Sequence, residues 1–163
     1  MSVDAPSVWV CGEMVPRNDV VSIVVSADAH SNKIKDHTFS KCSKLNKVEL
    51  NEGVQRIGRN AFSYCESLEY ITLPPTVTEI DNYAFQHCTK LKEIILNKGL
   101  KRIGTSALYN CTQLKEVVFH DGLERIGSGA FDSCKSLESI TFPSTLTEIG
   151  KQAFINCISF HEV

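Results

Sequence analysis

Six times this chain repeats one short step: a small residue, then Phe or Leu, then two variable residues and a cysteine. The copies are Thr38-Phe39-Ser40-Lys41-Cys42, Ala61-Phe62-Ser63-Tyr64-Cys65, Ala84-Phe85-Gln86-His87-Cys88, Ala107-Leu108-Tyr109-Asn110-Cys111, Ala130-Phe131-Asp132-Ser133-Cys134 and Ala153-Phe154-Ile155-Asn156-Cys157. The cysteines stand at 42, 65, 88, 111, 134 and 157, five intervals of 23 residues without insertion. A fixed period of that length means one supersecondary unit stacked along an axis, each coil burying its apolar side against the next.

Within one unit two apolar periods alternate. Leu68-Glu69-Tyr70-Ile71-Thr72-Leu73 reads L-x-x-I-x-L, and the alternation at Ile71 and Leu73 predicts a short strand, as do Val48/Leu50, Ile94/Leu96, Val117/Phe119 and Ile140/Phe142. The A-F-x-x-C-x-x-L part spaces its apolar residues by three and four, which predicts a short helix of about two turns. Asn60, Ser106 and Ser128 stand where an N-cap is expected. One corner between these parts uses Asn51-Glu52-Gly53, Asn97-Lys98-Gly99 and His120-Asp121-Gly122, or the prolines of Pro74-Pro75-Thr76 and Pro143-Ser144-Thr145. The next follows the Ile with Gly58, Gly104, Gly127 or Gly150; Asp81 and Lys35 are the exceptions, Asp being tolerant of left-handed backbone.

The cysteines then read as packing residues. Stacked coils bring them to about 4.8 Å, within disulfide reach, but in-register side chains point parallel to one another, which favours a ladder of reduced thiols. The seventh cysteine, Cys11, lies outside the repeat, no C-x-x-C occurs, and the odd total agrees with a reduced set. A net charge of -2 with no run of like charge argues against nucleic acid as a partner. No apolar stretch approaches a membrane span, and the N-terminal Met-Ser-Val-Asp-Ala-Pro lacks the features of a signal peptide, so a cytoplasmic location is the default expectation.

The L-x-x-I-x-L-P, V-x-x-I-G and A-F-x-x-C steps, carried by Leu68 to Cys88 and in register by the other units from Ile34 to about Phe160, resemble the BspA-like leucine-rich repeats. The resemblance implies an α/β fold: a right-handed leucine-rich-repeat solenoid with a parallel sheet on its concave side and short helices on its convex side. It also implies adhesion or recognition, often at cell surfaces. The chain departs from the general leucine-rich pattern in lacking an Asn ladder at the strand exit, a role the cysteine takes over, and in having Leu108 where the family has Phe.

Residues 1–33 do not fit the unit and are expected to form an N-terminal cap and the first strand. Val20 to Val25 would begin the sheet, while Val8 to Cys11, with Trp9, and Glu13 to Asp19 would cover the end of the core. Residues 34–163 form the solenoid, about five full repeats ending in an incomplete one. Phe160 and Val163 fall on the Leu and Ile positions of a further strand, an uncapped edge that would permit self-association.

Nothing in the sequence assembles a catalytic or metal site, and no cofactor is expected. His30, His37, His87, His120 and His161 share no ligand spacing, and His87 beside Cys88 occupies the variable surface position also held by Tyr64, Asn110 and Ser133. Asn110-Cys111-Thr112 matches a glycosylation pattern, but Cys111 is a core position. Arg56, Glu79, Arg102, Arg125 and Glu148 form a ladder read as solvated ion pairs.

The outward strand positions carry more information. Ile95 and Val118 stand where Glu49, Thr72 and Thr141 stand in other rows, so two aliphatics face solvent beside Tyr70 and Thr72, with Glu93, Glu116 and His120 around them. An apolar centre with a polar rim is the anatomy of a protein interface. The expected function is therefore a non-enzymatic scaffold for protein-protein interaction that binds a protein or peptide on its concave face. The alternative is a structural element that oligomerises through its C-terminal edge.

Overall fold

The computed structural model describes residues 7–10, 21–26 and 32–157. Its strands are β1 (Ser7–Val10), β2 (Ser22–Ser26), β3 (Lys33–Ile34), β4 (Lys47–Leu50), β5 (Arg56–Ile57), β6 (Tyr70–Thr72) and β7 (Glu79–Ile80), followed by β8 (Glu93–Ile95), β9 (Arg102–Ile103), β10 (Glu116–Val118), β11 (Arg125–Ile126), β12 (Ser139–Thr141) and β13 (Glu148–Ile149). The longer strands form a seven-stranded sheet in the order β1-β2-β4-β6-β8-β10-β12, and the two-residue strands form a six-stranded sheet in the order β13-β11-β9-β7-β5-β3. All pairings are parallel. β1 pairs outside β2, so the sheet begins one strand before the expected Val20 to Val25.

Each coil has three sides, one on each sheet and one made by the A-F-x-x-C segment. Inward residues from all three fill one continuous core. Val48, Ile71, Ile94 and Val117 come from the first sheet, Ile57, Ile80, Ile103 and Ile126 from the second, and the Ala, Phe and Cys of each step from the third. Phe39, Phe62 and Phe85 stack at 5.1 and 5.3 Å between ring centroids, and Phe131 and Phe154 stack at 5.1 Å. Leu108 interrupts this column and is fully buried.

The third side is not helical, and the described residues contain no helix at all. Asn60 and Tyr64, Tyr83 and His87, and Ser106 and Asn110 all have φ between 50° and 60°, so two left-handed residues, four apart, interrupt this segment in each of these coils. The amides alternate between two kinds of partner. Ala61, Ser63 and Cys65 donate within the coil to Gly58, Asn60 and Phe62 at 3.2 Å, while Asn60, Phe62 and Tyr64 donate to Asn82, Ala84 and Gln86 of the next coil at 3.1, 2.7 and 2.8 Å. A helix would consume every amide internally, whereas this winding leaves alternate amides to tie the coils together. The three-and-four spacing thus reports a curled stacking segment and not a helix. Asn60 and Ser106 act as its left-handed residues, since an N-cap has extended backbone. Ser128 falls one place earlier in the unit, and Gly129, with φ of 60°, takes the left-handed position.

The corner glycines also differ from expectation. Gly53 and Gly122 are left-handed, with φ of 103° and 111°, but Gly99, Gly58, Gly104, Gly127, Gly150 and the exception Asp81 are not. At Gly127 the constraint is proximity: a Cβ there would sit 2.5 Å from the Thr105 amide nitrogen and 2.6 Å from the Gly104 carbonyl carbon. Where proline replaces glycine at the first corner, the following threonine bridges coils. Thr76 Oγ1 accepts from the Gly53 amide at 3.3 Å and donates to the Val54 carbonyl at 2.7 Å, and Thr145 does the same between Gly122 and Leu123.

Trp9's side chain, the expected cap segment after β1, Phe160, His161 and Val163 lie outside the described residues.

Candidate functional site

The repeated cysteines are structural. The thiols of Cys65, Cys88, Cys111 and Cys134 donate across one coil to the carbonyls of Phe39, Phe62, Phe85 and Leu108 at 3.2 to 3.3 Å, and Cys157 reaches that of Phe131 at 3.2 Å. This is the inward, inter-coil role that the missing Asn ladder left open. Burial pushes the Cys111 thiol up to about 12 and the half-buried Cys157 to about 11, and it raises Cys65, Cys88 and Cys134 as well. Such thiols lack the low pKa and access of a nucleophile. His87 does not activate Cys88: its ring stacks on Tyr64 at 4.6 Å, and its Nδ1 lies 2.9 Å from Asn110 Nδ2. Among the described residues no group of three His, Cys, Asp or Glu side chains could hold a metal ion.

On the outer face of the six-stranded sheet the charges meet one another. Glu79 is engaged by Arg56, whose Nε lies 3.0 Å from Oε2 though not aimed as a hydrogen bond, and by Arg102 on the next coil. Asp81 takes a second Arg56 nitrogen at 2.9 Å. Arg125 and Glu148 approach at 3.5 Å.

The outer face of the seven-stranded sheet is arranged differently. Register places Lys47, Tyr70, Glu93, Glu116 and Ser139 in one row, and Glu49, Thr72, Ile95, Val118 and Thr141 in a second. Ile95 is 48% exposed, Val118 52% and Tyr70 53%, although the residues between them on the same strands are buried. The strand period of two produces this contrast, since Ile71, Ile94 and Val117 take the inward places.

The expected site residues divide between two neighbouring hollows. Tyr70 and Thr72 line one of about 380 Å³ with Lys47, Glu49 and Pro74. Glu93, Ile95, Glu116, Val118 and His120 line the other, of about 270 Å³, with Ile94 and Leu96 at its floor. One rim residue was missed. Lys92 lies with its Nζ 5.6 Å from the Tyr70 ring centroid and pairs with Glu69 at 2.7 Å. That ion pair raises Lys92 and lowers Glu69 from their ordinary values. The signal was present in the sequence, because Glu69 and Lys92 are separated by one 23-residue period.

Stacked parallel coils with a thiol ladder inside and a variable sheet face outside define a repeat scaffold. The BspA type leucine rich repeat region matches residues 28–161 in six copies, and the chain belongs to that family. Such repeats generally serve as protein-interaction scaffolds and not as enzymes. A leucine rich cell surface protein of Faecalibacterium prausnitzii is similar in structure, with a TM-score of 0.75 and 29% identity over 88% of this chain and 38% of that one. A leucine-rich repeat protein of Bacteroides ovatus has a TM-score of 0.71 and 26% identity over 88% of this chain and 35% of that one. The T. pallidum leucine rich repeat protein shares the fold at 22% identity, with a TM-score of 0.68 over 92% of this chain and 87% of that one. The chain therefore spans little more than a third of the first two proteins. Among curated proteins nothing matches it.

Proposed function

We propose that the chain is a non-enzymatic recognition module that binds a protein, through an extended segment, on the outer face of its seven-stranded sheet. The observation that carries this reading is the pair Ile95 and Val118, neighbours in register positions and half exposed over a shared hollow, with Glu93, Glu116 and His120 at its margin. Exposed aliphatics in one place, bordered by polar groups, are what a protein interface buries at its centre. The two hollows lie side by side along one sheet face, one holding Tyr70 and Thr72 and the other Ile95 and Val118, which favours an extended chain laid over the sheet. The similarity to a leucine rich cell surface protein of F. prausnitzii supports display of this chain at a cell surface. Among the described residues there is no helix long and apolar enough to cross a membrane.

The test is the double variant Ile95→Asp with Val118→Asp, compared with the native chain for binding to a partner isolated from the source cells. Both side chains point to solvent, so the chain should still fold, at a modest cost from the two carboxylates placed side by side, while affinity should fall by about 100-fold or more, the loss of two central interface residues. Undiminished affinity would place the site elsewhere on the molecule.

A further inference from the structure

The 270 Å³ hollow has a charge as well as an apolar floor, and that charge is unanswered among the described residues. Glu93 and Glu116 are direct register partners on β8 and β10. Neighbouring parallel strands hold such residues about 4.8 Å apart, where like charges repel. Among the described residues neither carboxylate makes an ion pair or side-chain hydrogen bond. Lys92, next in sequence to Glu93, turns to Glu69 and Tyr70 instead, and Lys115, next to Glu116, pairs with neither. The lining includes no Lys or Arg, whereas Lys47 and Glu49 both line the neighbouring hollow.

Two exposed carboxylates thus stand beside two exposed aliphatics, in rows two residues apart along the strands. That separation is about 6.6 Å, which is also the distance between side chains i and i+2 of an extended chain. Resting on the reading of this face as a protein-binding surface, we propose that its occupant is an extended segment of a partner protein that sets a Lys or Arg over Glu93 and Glu116 and an aliphatic side chain two residues away over Ile95 and Val118. The cation relieves the repulsion between the carboxylates, and the aliphatic removes the exposed methyl groups from water. Specificity for such a segment comes from the pairing of the two features, since an acidic segment would meet a third like charge.

The experiment uses the full chain and a display library of random dodecapeptides, followed by titration of the selected peptides by fluorescence anisotropy. Selection should enrich Lys or Arg two residues from Val, Ile or Leu. Affinity for those peptides should fall at least tenfold on Glu93→Gln with Glu116→Gln, and a similar amount on Ile95→Ser with Val118→Ser. It should also weaken as salt rises from 50 to 500 mM, as screening requires. Enriched peptides without basic residues that still depend on Ile95 and Val118 would overturn the charge assignment while leaving the binding face intact. Peptides indifferent to all four substitutions would overturn both readings. Failure to select any peptide would overturn the extended basic segment as occupant, and the Asp substitutions tested against the cell-derived partner would then decide the face itself.

Discussion

On the six-stranded sheet Arg56, Glu79 and Arg102 stand in register on β5, β7 and β9 and close on one another, whereas on the seven-stranded sheet Glu93 and Glu116 stand in register on β8 and β10 and neither pairs with a cation among the described residues. The first face is not free of like neighbours, because Arg102 and Arg125 are also register partners. There, however, each arginine has an acidic residue on its other side, Glu79 for one and Glu148 for the other. In-register stacking copies every position onto the same line, so a sequence must alternate sign along that line or supply a partner beyond it. One face satisfies this internally. The other leaves two carboxylates and two aliphatics to solvent, an arrangement that folding does not require.

The largest perturbation should abolish the comparison, because both faces hang on one core. The thiols of that core are held protonated by burial, against an ordinary value of 9.0. The unfolded chain releases those protons above pH 9 while the folded chain keeps them. Their contribution is therefore fully present below 9 and is lost as pH rises toward the folded values, about 11 for Cys157 and 12 for Cys111. The thiols all act in the same direction, so stability should fall progressively as pH rises above 9. Circular dichroism should show cooperative unfolding between pH 9 and 11, with thiolate absorbance appearing in the same transition. Thiolate absorbance well before any loss of structure would mean that the ladder is accessible.

An intermediate effect should strike the six-stranded side. Gly127→Ala places a methyl group against the Thr105 and Gly104 backbone, which has no rotamer with which to yield. Overpacking of this kind costs about 1 to 3 kcal/mol. Thr72→Val, an exposed change on the other sheet, should stay within about 0.5 kcal/mol. Urea midpoints compare the two directly, and equal midpoints would show that the corner coils separate more easily than their geometry indicates.

How much of this was legible from the residues depends on what the 23-residue period encodes. It placed Ile71, Ile94 and Val117 inward and Ile95 and Val118 outward, because strand alternation admits one solution when the core side is known. It also identified the cysteines as core, although their hydrogen bonds to carbonyls one coil back are visible only once the coils are stacked. The helix was misread because apolar spacing of three and four is shared by a helix and by a curled segment. What separates them is backbone handedness at Tyr64, His87 and Asn110, and nothing in a Tyr or His announces a left-handed φ. The second corner was misread for a related reason: glycine signals either positive φ or close approach, and at Gly127 it is approach. At the candidate site the seven named residues were placed on one face, but their division between two hollows depends on side-chain volume around Lys47 and Pro74, which register alone does not supply.

The smallest effect is the most discriminating, because it differs in sign between the sheets. Glu79→Gln removes the charge shared by Arg56 and Arg102 at a position whose side chain is only 22% exposed. Partly exposed ion pairs contribute about 0.2 to 1 kcal/mol, so destabilisation should fall in that range. Glu116→Gln removes one of two adjacent carboxylates that lack cationic partners among the described residues, and relief of repulsion should stabilise the chain by about a few tenths of a kcal/mol. Raising the salt concentration should shrink both differences toward zero, since both groups are reached by solvent ions. Urea unfolding of the two variants at 50 and 500 mM salt measures all four quantities. Destabilisation by Glu116→Gln at low salt would mean that its carboxylate is already answered within the chain, and the contrast between the sheets would fail along with the case for a basic partner.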